Sequence, residues 1–370
     1  MSRICLVGAG YIAGVHANVL RRLHGHSITT VVDPNNAAAT RLAASSGAAS
    51  VFGSVEEALA ADNFDRACVL VPPDLHEAVA TKLLAAGKPV LLEKPLAASP
   101  DACARLVQIS AASDTALGVN QNFVHHPAFT RLRALLVRGA LGRPKFVSCI
   151  YNAPLRQLAT GHFGHRMFQS SGNSLLEQAV HPLSQIVTLA GSVGDVRAIA
   201  GPVREIAPGL DFVATLDAAL SCARLPAQLR FAVGQDFPFW QLTVVCNEGV
   251  AVADILTNRM FTHRRTRWLE AVDRMLSGIA TGGAIARDAV RVFAGYVGSM
   301  LHVVPPSACS PLMPRFSTAI PTARNDDSSI ISVGFRHTLK RNSRISPSFT
   351  TYSLPSTRIF PASLAPTSPL

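Results

Sequence analysis

Three side chains of this chain carry complementary acid–base chemistry. Lys94 lies in Glu93-Lys94-Pro95, and Glu177 and His181 lie in Leu175-Leu176-Glu177-Gln178-Ala179-Val180-His181. A lysine ammonium can hydrogen-bond a hydroxyl and stabilise the alkoxide that forms as a hydride leaves carbon. An imidazole can exchange the hydroxyl proton. A carboxylate four residues earlier on the same helix face can orient that imidazole or hold the substrate. Plainer readings stand beside these. Glu93 and Lys94 also suit a solvated ion pair in a surface loop. Glu177 and His181 also suit a helix-surface ion pair or a core histidine. Pro182 removes one helix hydrogen bond and biases His181 away from regular helix geometry, so a kink there would aim the imidazole into a cleft. One carboxylate and one imidazole make too few ligands for zinc. Neither His-Glu-x-x-His nor Cys-x-x-Cys occurs, so no metal site is expected.

The elements that must position these groups begin at the N-terminus. Ile4-Cys5-Leu6-Val7 is an apolar run that ends in Gly8-Ala9-Gly10-Tyr11-Ile12-Ala13. This reads as buried strand, tight turn and helix start, with the spacing G-x-G-x-x-A of a dinucleotide site. Gly8 permits the sharp turn, Gly10 lets a pyrophosphate approach the backbone, and Ala13 lets the helix lie close on the strand. Tyr11 and Ile12 open that helix, whose free N–H groups face the phosphates. Asp33 closes the next apolar run about 20 residues on, where a ribose-binding acid is expected. Its charge opposes a 2′-phosphate, and Pro34-Asn35-Asn36 brings no arginine, so NAD is favoured over NADP, with NADP the alternative.

Strand and helix patterns then alternate through Ala67–Val71, Leu75–Ala86, Val90–Leu92, Ala102–Ala112 and Ala116–Val119. Repeated βα units with short links imply a doubly wound, mostly parallel sheet over residues 1–122. The residues that follow each strand converge on one crevice at its carboxyl edge: the glycine turn, Asp33, Pro72 to Asp74, Glu93 to Pro95, and Asn120 to Asn122. Beyond residue 122 the period changes. A helix is expected over Asn173–Leu189, strands with a period of two from Val213 to His263, and an amphipathic helix over Arg287–Met300. This predicts a second, α+β domain over 123–304 with a mostly antiparallel open sheet. The glycine-rich stretch Thr160 to Arg166, with His162 and His165, suits either a mobile loop or a substrate lid. Residues 305–370 hold 10 of the 24 prolines and no sustained apolar period. They read as a disordered extension or as the product of a shifted reading frame.

Composition narrows the function classes. The chain has 370 residues and a formal charge of +11, but the only basic cluster in the patterned part is Arg264-Arg265-x-Arg267, without interleaved aromatics, so nucleic-acid binding is not expected. No apolar run approaches the roughly 18 residues of a membrane span, and no secretory leader is recognisable. The seven cysteines are scattered, which argues against a disulfide framework and for a reducing cytoplasm.

Together these motifs resemble the glucose–fructose oxidoreductase, inositol dehydrogenase and rhizopine-catabolism (Gfo/Idh/MocA) family from Arg3 to about Met300. The carrying pieces are the glycine turn, Val71-Pro72-Pro73-Asp74-Leu75-His76, Glu93-Lys94-Pro95 and Gly172 to His181. The resemblance implies an N-terminal Rossmann domain, a C-terminal domain whose open sheet makes homo-oligomer contacts, and NAD(P)-dependent oxidation or reduction of sugars, cyclitols or related polyols. It implies that Lys94 and His181 are catalytic, with Glu177 beside them, and that Pro72 and His76 flank the nicotinamide. Glu93, Lys94 and Asn122 line the same end of the cofactor in this reading. Glu177 stands where the family usually has Asp, and Ala179 where it has Gly. A non-catalytic dinucleotide-binding sensor on the same fold and an NAD-using glycosidase are the alternatives.

Overall fold

Ile4, Cys5, Leu6 and Val7 are buried consecutively, the mark of a strand covered on both faces. That strand, β1 (Ser2–Val7), is central in a six-stranded sheet of the computed structural model, which describes residues 1–264 and 269–300 and the short pairs 334–335 and 349–350. The other strands are β2 (His26–Val32), β3 (Ser50–Phe52), β4 (Arg66–Val69), β5 (Val90–Leu92) and β6 (Leu117–Val119). Their order is β3-β2-β1-β4-β5-β6 and every pairing is parallel. The order reverses between β1 and β4, which opens a crevice at the carboxyl edge there. The helices between strands are α1 (Tyr11–Leu20), α2 (Asn36–Ser46), α3 (Val55–Ala61), α4 (Pro73–Ala85) and α5 (Pro100–Ala112). Ser54 and Ser99 cap α3 and α5 by accepting the amides of Glu57 and Ala102. Helix α4 starts at Pro73 rather than at Leu75, so Asp74 lies in its first turn.

A 3₁₀ turn, Asn122–His125, and α6 (Pro127–Val137) lead to the second sheet. Its strands are β7 (Pro144–Ala153), β8 (Val193–Ala200), β11 (Thr215–Cys222), β12 (Ala227–Val233), β13 (Phe239–Cys246), β14 (Gly249–Asp254) and β15 (Arg259–Arg264). They run in the order β15-β14-β13-β7-β12-β11-β8, antiparallel except where β7 meets β12. A separate hairpin joins β9 (Val203–Ala207) to β10 (Leu210–Val213). One face of the large sheet packs on α8 (Val180–Ala190) around Tyr151, Phe231 and Trp240, and Tyr151 stacks on Phe231 at 5.3 Å. A short helix, α7 (Arg156–Thr160), precedes α8.

Two sequence expectations are revised. The helix expected over 173–189 is a π-helical turn, Leu175–Ala179, that runs into α8. The helix expected from Arg287 starts far earlier: α9 spans Glu270–Met300, across Gly278, Gly282 and Gly283, and packs along β15. The reading of residues 305–370 falls on positions outside the described residues, apart from the two-residue strands Gly334–Phe335 and Phe349–Thr350. Of the six described cysteines, five are buried and Cys222 is partly exposed. Burial pushes the Cys103 thiol up to about 11 and the Cys68 thiol up to about 12.

Candidate active site

The glycine turn is shaped by two different demands. Gly8 has φ +102, and a Cβ there would lie 2.9 Å from the Leu70 backbone, so the turn passes against the end of β4 with no room for a side chain. Gly10 has an ordinary φ of −75, and a Cβ there would meet nothing within 4 Å. The space above Gly10 is open. No side chain caps α1, and its first turn holds no acid. The first amides, those of Tyr11 and Ile12, have no partner within the helix and are left for an anion. Tyr11 itself projects outward, while Ile12 packs on the first-sheet core.

Asp33 braces this turn. Its Oδ2 accepts the Ala9 amide at 2.7 Å and its Oδ1 the Asn35 amide at 2.8 Å. Each oxygen keeps a further lone pair for a ribose hydroxyl. The residues present therefore fit a dinucleotide: open space at Gly10, an uncapped helix start and a fixed carboxylate at the next strand end.

Glu93 and His76, both placed among the cofactor contacts by the sequence reading, are built into the walls. Glu93 Oε1 accepts from His16 Nε2 at 2.7 Å and from Asn120 Nδ2 at 2.6 Å, which ties α1 and the end of β6 to the end of β5. Burial raises its pKa, but the His16 and Asn120 contacts and the Lys94 charge outweigh this and leave it below the ordinary carboxylate value. His76 is fully buried. Its Nε2 lies 2.9 Å from the Val71 carbonyl, and its Nδ1 lies 2.9 and 3.2 Å from those of Pro95 and Leu96. It staples the loop after β4 to the loop after Lys94. Burial lowers its pKa and outweighs the three carbonyls that raise it. Pro72, by contrast, is exposed at the N-cap of α4. Asn122 opens the 3₁₀ turn after β6, and its buried Oδ1 has no hydrogen-bond partner among the described residues.

Lys94 reaches across to the second sheet's helix. Its Nζ donates to the Glu177 carbonyl at 3.0 Å and to Glu177 Oε2 at 3.2 Å. The π turn is the local cause, because an i→i+5 turn widens the spiral and swings Glu177 out of register with His181. Glu177 is therefore not seen bonded to His181, as the four-residue spacing suggested. Its other oxygen, Oε1, accepts Arg166 Nη1 at 3.0 Å. Arg166 Nη2 in turn donates to Asp74 at 2.9 and 3.1 Å. An ion chain Lys94–Glu177–Arg166–Asp74 thus crosses the cleft twice.

His181 sits beside that chain. The edge of its ring meets Phe123, with centroids 4.9 Å apart, and Trp240 lies 6.4 Å away. Its Nδ1 is buried without a hydrogen-bond partner among the described residues. Burial, helped by the Lys94 charge, holds its pKa well below the ordinary histidine value. The imidazole is thus neutral near pH 7 and able to take a proton.

Sequence reasoning left Arg166 in a lid or mobile loop, placed Asp74 in the crevice without its ion-pair partner, and missed His16. Arg166 is in fact anchored by its neighbours: Met167 and Phe168 are buried, and Phe168 packs on Phe163 and Phe212 at 5.1 and 5.7 Å. His162 and His165 stay exposed, and His165 caps the turn by accepting the Met167 amide. The only early sign of Arg166 was a lone cation between glycines and a carboxylate-bearing helix.

A Gly-x-Gly turn, an uncapped α1 and the strand order around β1 define a dinucleotide-binding α/β fold. Residues 2–121 match the model of the oxidoreductase family with NAD-binding Rossmann fold. Over this domain the chain is similar to the Gfo/Idh/MocA oxidoreductases. It is similar to inositol 2-dehydrogenase of Corynebacterium glutamicum (strain R), 29% identical over 194 residues that make up 51% of this chain and 54% of that protein. It is also similar to dTDP-3,4-didehydro-2,6-dideoxy-alpha-D-glucose 3-reductase of Streptomyces violaceoruber, 32% identical over 50% of this chain and 55% of that protein. The chain thus matches about half the length of these curated relatives. An NAD binding oxidoreductase from Klebsiella pneumoniae shares the fold, with a TM-score of 0.64 and 21% identity over 71% of this chain and 76% of that one.

Proposed function

We propose that the protein is an NAD-dependent oxidoreductase that moves a hydride between nicotinamide and a secondary alcohol or ketone of a sugar, cyclitol or related polyol. The observation that carries this reading is the meeting of Lys94 Nζ with Glu177 beside a neutral His181 whose buried Nδ1 has no partner among the described residues. This group stands at the same sheet edge as the Gly8–Gly10 turn. In this reading the Tyr11 and Ile12 amides hold the pyrophosphate and Asp33 holds the ribose. Pro72 and Asn122 flank the nicotinamide end, and Glu93 and His76 set the walls. The bound dinucleotide supplies the hydride acceptor or donor. Lys94 donates a hydrogen bond to the substrate oxygen and favours its alkoxide character. His181 takes the hydroxyl proton during oxidation and returns it during reduction. Glu177 keeps the ammonium in place, and Arg166 holds the second carboxylate oxygen. The names of the relatives support a small polyol or sugar as substrate. The outer face of the seven-stranded sheet is the homo-oligomer surface in this reading, and the compartment is the cytoplasm.

The test is nicotinamide absorbance with a panel of neutral sugars, cyclitols and their ketones. Turnover of at least one, lost in Lys94→Ala, is the expected result. Cofactor binding with no turnover on any of them would shift the reading to a sensor. Asp33 favours NAD, since a 2′-phosphate would meet its charge. Similar Kd values for NAD and NADP would remove that preference.

A further inference from the structure

Helix α9 turns the wrong face outward. It is fastened to the rest of the chain through polar groups: buried Asp288 accepts Arg131 Nη2 and the Met260 amide, both at 3.0 Å, and Thr281 Oγ1 donates to the Thr262 carbonyl at 3.1 Å. Thr281 and Asp288 are seven residues apart, so they lie on one line along the helix. The opposite side is apolar and exposed: Ile279 is 65% exposed and Phe293 68%. The small or apolar positions on that side are 269, 272, 276, 279, 283, 286, 290, 293, 297 and 300. Their spacing alternates three and four without a break, which is a heptad seam sustained over more than four heptads. Soluble chains rarely leave so long an apolar stripe uncovered.

We propose that this seam is a self-association surface, in which two copies of the chain pair their α9 helices antiparallel. The stripe is self-complementary in that arrangement. Aligning Gly283 of one copy with Ala286 of the other brings Ile279 onto Val290, Leu276 onto Phe293, Val272 onto Val297 and Leu269 onto Met300. Every seam position meets another. The small pair sits at the centre, where the backbones come closest, and each bulky residue meets a bulky one outside. The antiparallel sense also opposes the two helix dipoles. The 31 residues of α9 span about 46 Å, so a strip about 10 Å wide covers roughly 450 Å² on each copy. Roughly 900 Å² in total falls just below the roughly 1,000 Å² expected of a stable interface, which fits a weak, concentration-dependent dimer. This contact is distinct from the outer face of the seven-stranded sheet.

The experiment is light scattering after size-exclusion chromatography of the full chain over a wide concentration range, with Ile279→Asp and Phe293→Asp alongside. The seam is exposed, so both variants should keep the wild-type circular dichroism and melting curve. Wild type is expected to reach twice the mass at which both variants stop, whether that is the single chain or the oligomer held by the outer face of the seven-stranded sheet. Mixing Ile279→Cys with Val290→Cys under mild oxidation should give the disulfide between the two different variants, and neither variant alone should cross-link through α9. A wild-type chain that stays single at every concentration overturns the proposal, because the seam is then covered by residues 301–370 or by another protein. An Ile279→Asp variant with the mass of the wild type at every concentration overturns it too, since all association then runs through another surface. Disulfides between identical variants would overturn the antiparallel register.

Discussion

Lys94 is held from two directions by one residue, the carbonyl and the carboxylate of Glu177. Under the proposed function, Lys94→Ala should lower kcat by roughly 100-fold, as for the loss of one preorganised donor, with little change in NAD Kd. Lys94→Arg should not restore the rate, because a guanidinium is wider and does not release a proton near neutral pH. Single-turnover hydride transfer beside a cofactor titration checks both. Arg166 acts one step further out. Without it, Glu177 Oε1 loses a charge-assisted bond worth about 1.5–3 kcal/mol, and the carboxylate is free to turn away from Lys94. Arg166→Ala should therefore reduce kcat by roughly 10-fold or more and lower the melting temperature by a few degrees, and Arg166→Lys should recover part of both. An Arg166→Ala enzyme with unchanged kcat would confine this residue to fastening the loop to Asp74. Lys94 was legible from its place after a buried strand. The Asp74–Arg166 contact was not, because 92 residues separate its partners and nothing local in either segment announces the other.

At the scale of elements, the two glycines of the first turn should separate folding from binding. Gly8→Ala places a Cβ against the Leu70 backbone at a positive φ, and should cost roughly 2–4 kcal/mol in urea unfolding. Gly10→Ala has room and an ordinary φ, so its stability should stay within about 0.5 kcal/mol of wild type, while NAD affinity falls because the new methyl stands in the open space. Loss of stability in Gly10→Ala, or tight NAD binding by it, would contradict this division. The turn was readable because both demands act within a few residues of one strand end. The π turn was not, since α and π turns share the same residue preferences and the donor at the Glu177 carbonyl, Lys94, lies 83 residues away. The early start of α9 was hidden by Gly278, Gly282 and Gly283, each of which disfavours helix by about 1 kcal/mol against alanine. Packing along β15, through Thr281 and Asp288, overrides that preference.

At the scale of the molecule, burial leaves three histidines, His76, His125 and His181, with depressed pKa values. Each has a folded value below its unfolded value of about 6.5. The unfolded chain therefore binds more protons as pH falls below that value, so the contribution of these histidines to stability is full above about pH 6.5 and is lost on acidification. The melting temperature should fall from pH 7 to pH 5, and His181→Gln should flatten part of that slope. A pH-independent Tm over this range would show that the imidazoles protonate without opening the fold. The distribution of thiols has a separate practical consequence. Cys5, Cys68 and Cys103 are buried in the first sheet and its helices, Cys149 and Cys246 in the second, and Cys222 alone among the described thiols is partly exposed. For the five buried thiols among the described residues, alkylation must wait for the structure to open. Mass-resolved labelling then times the opening of each sheet by which sulfur is tagged first, so the native sequence already carries a clock for each half.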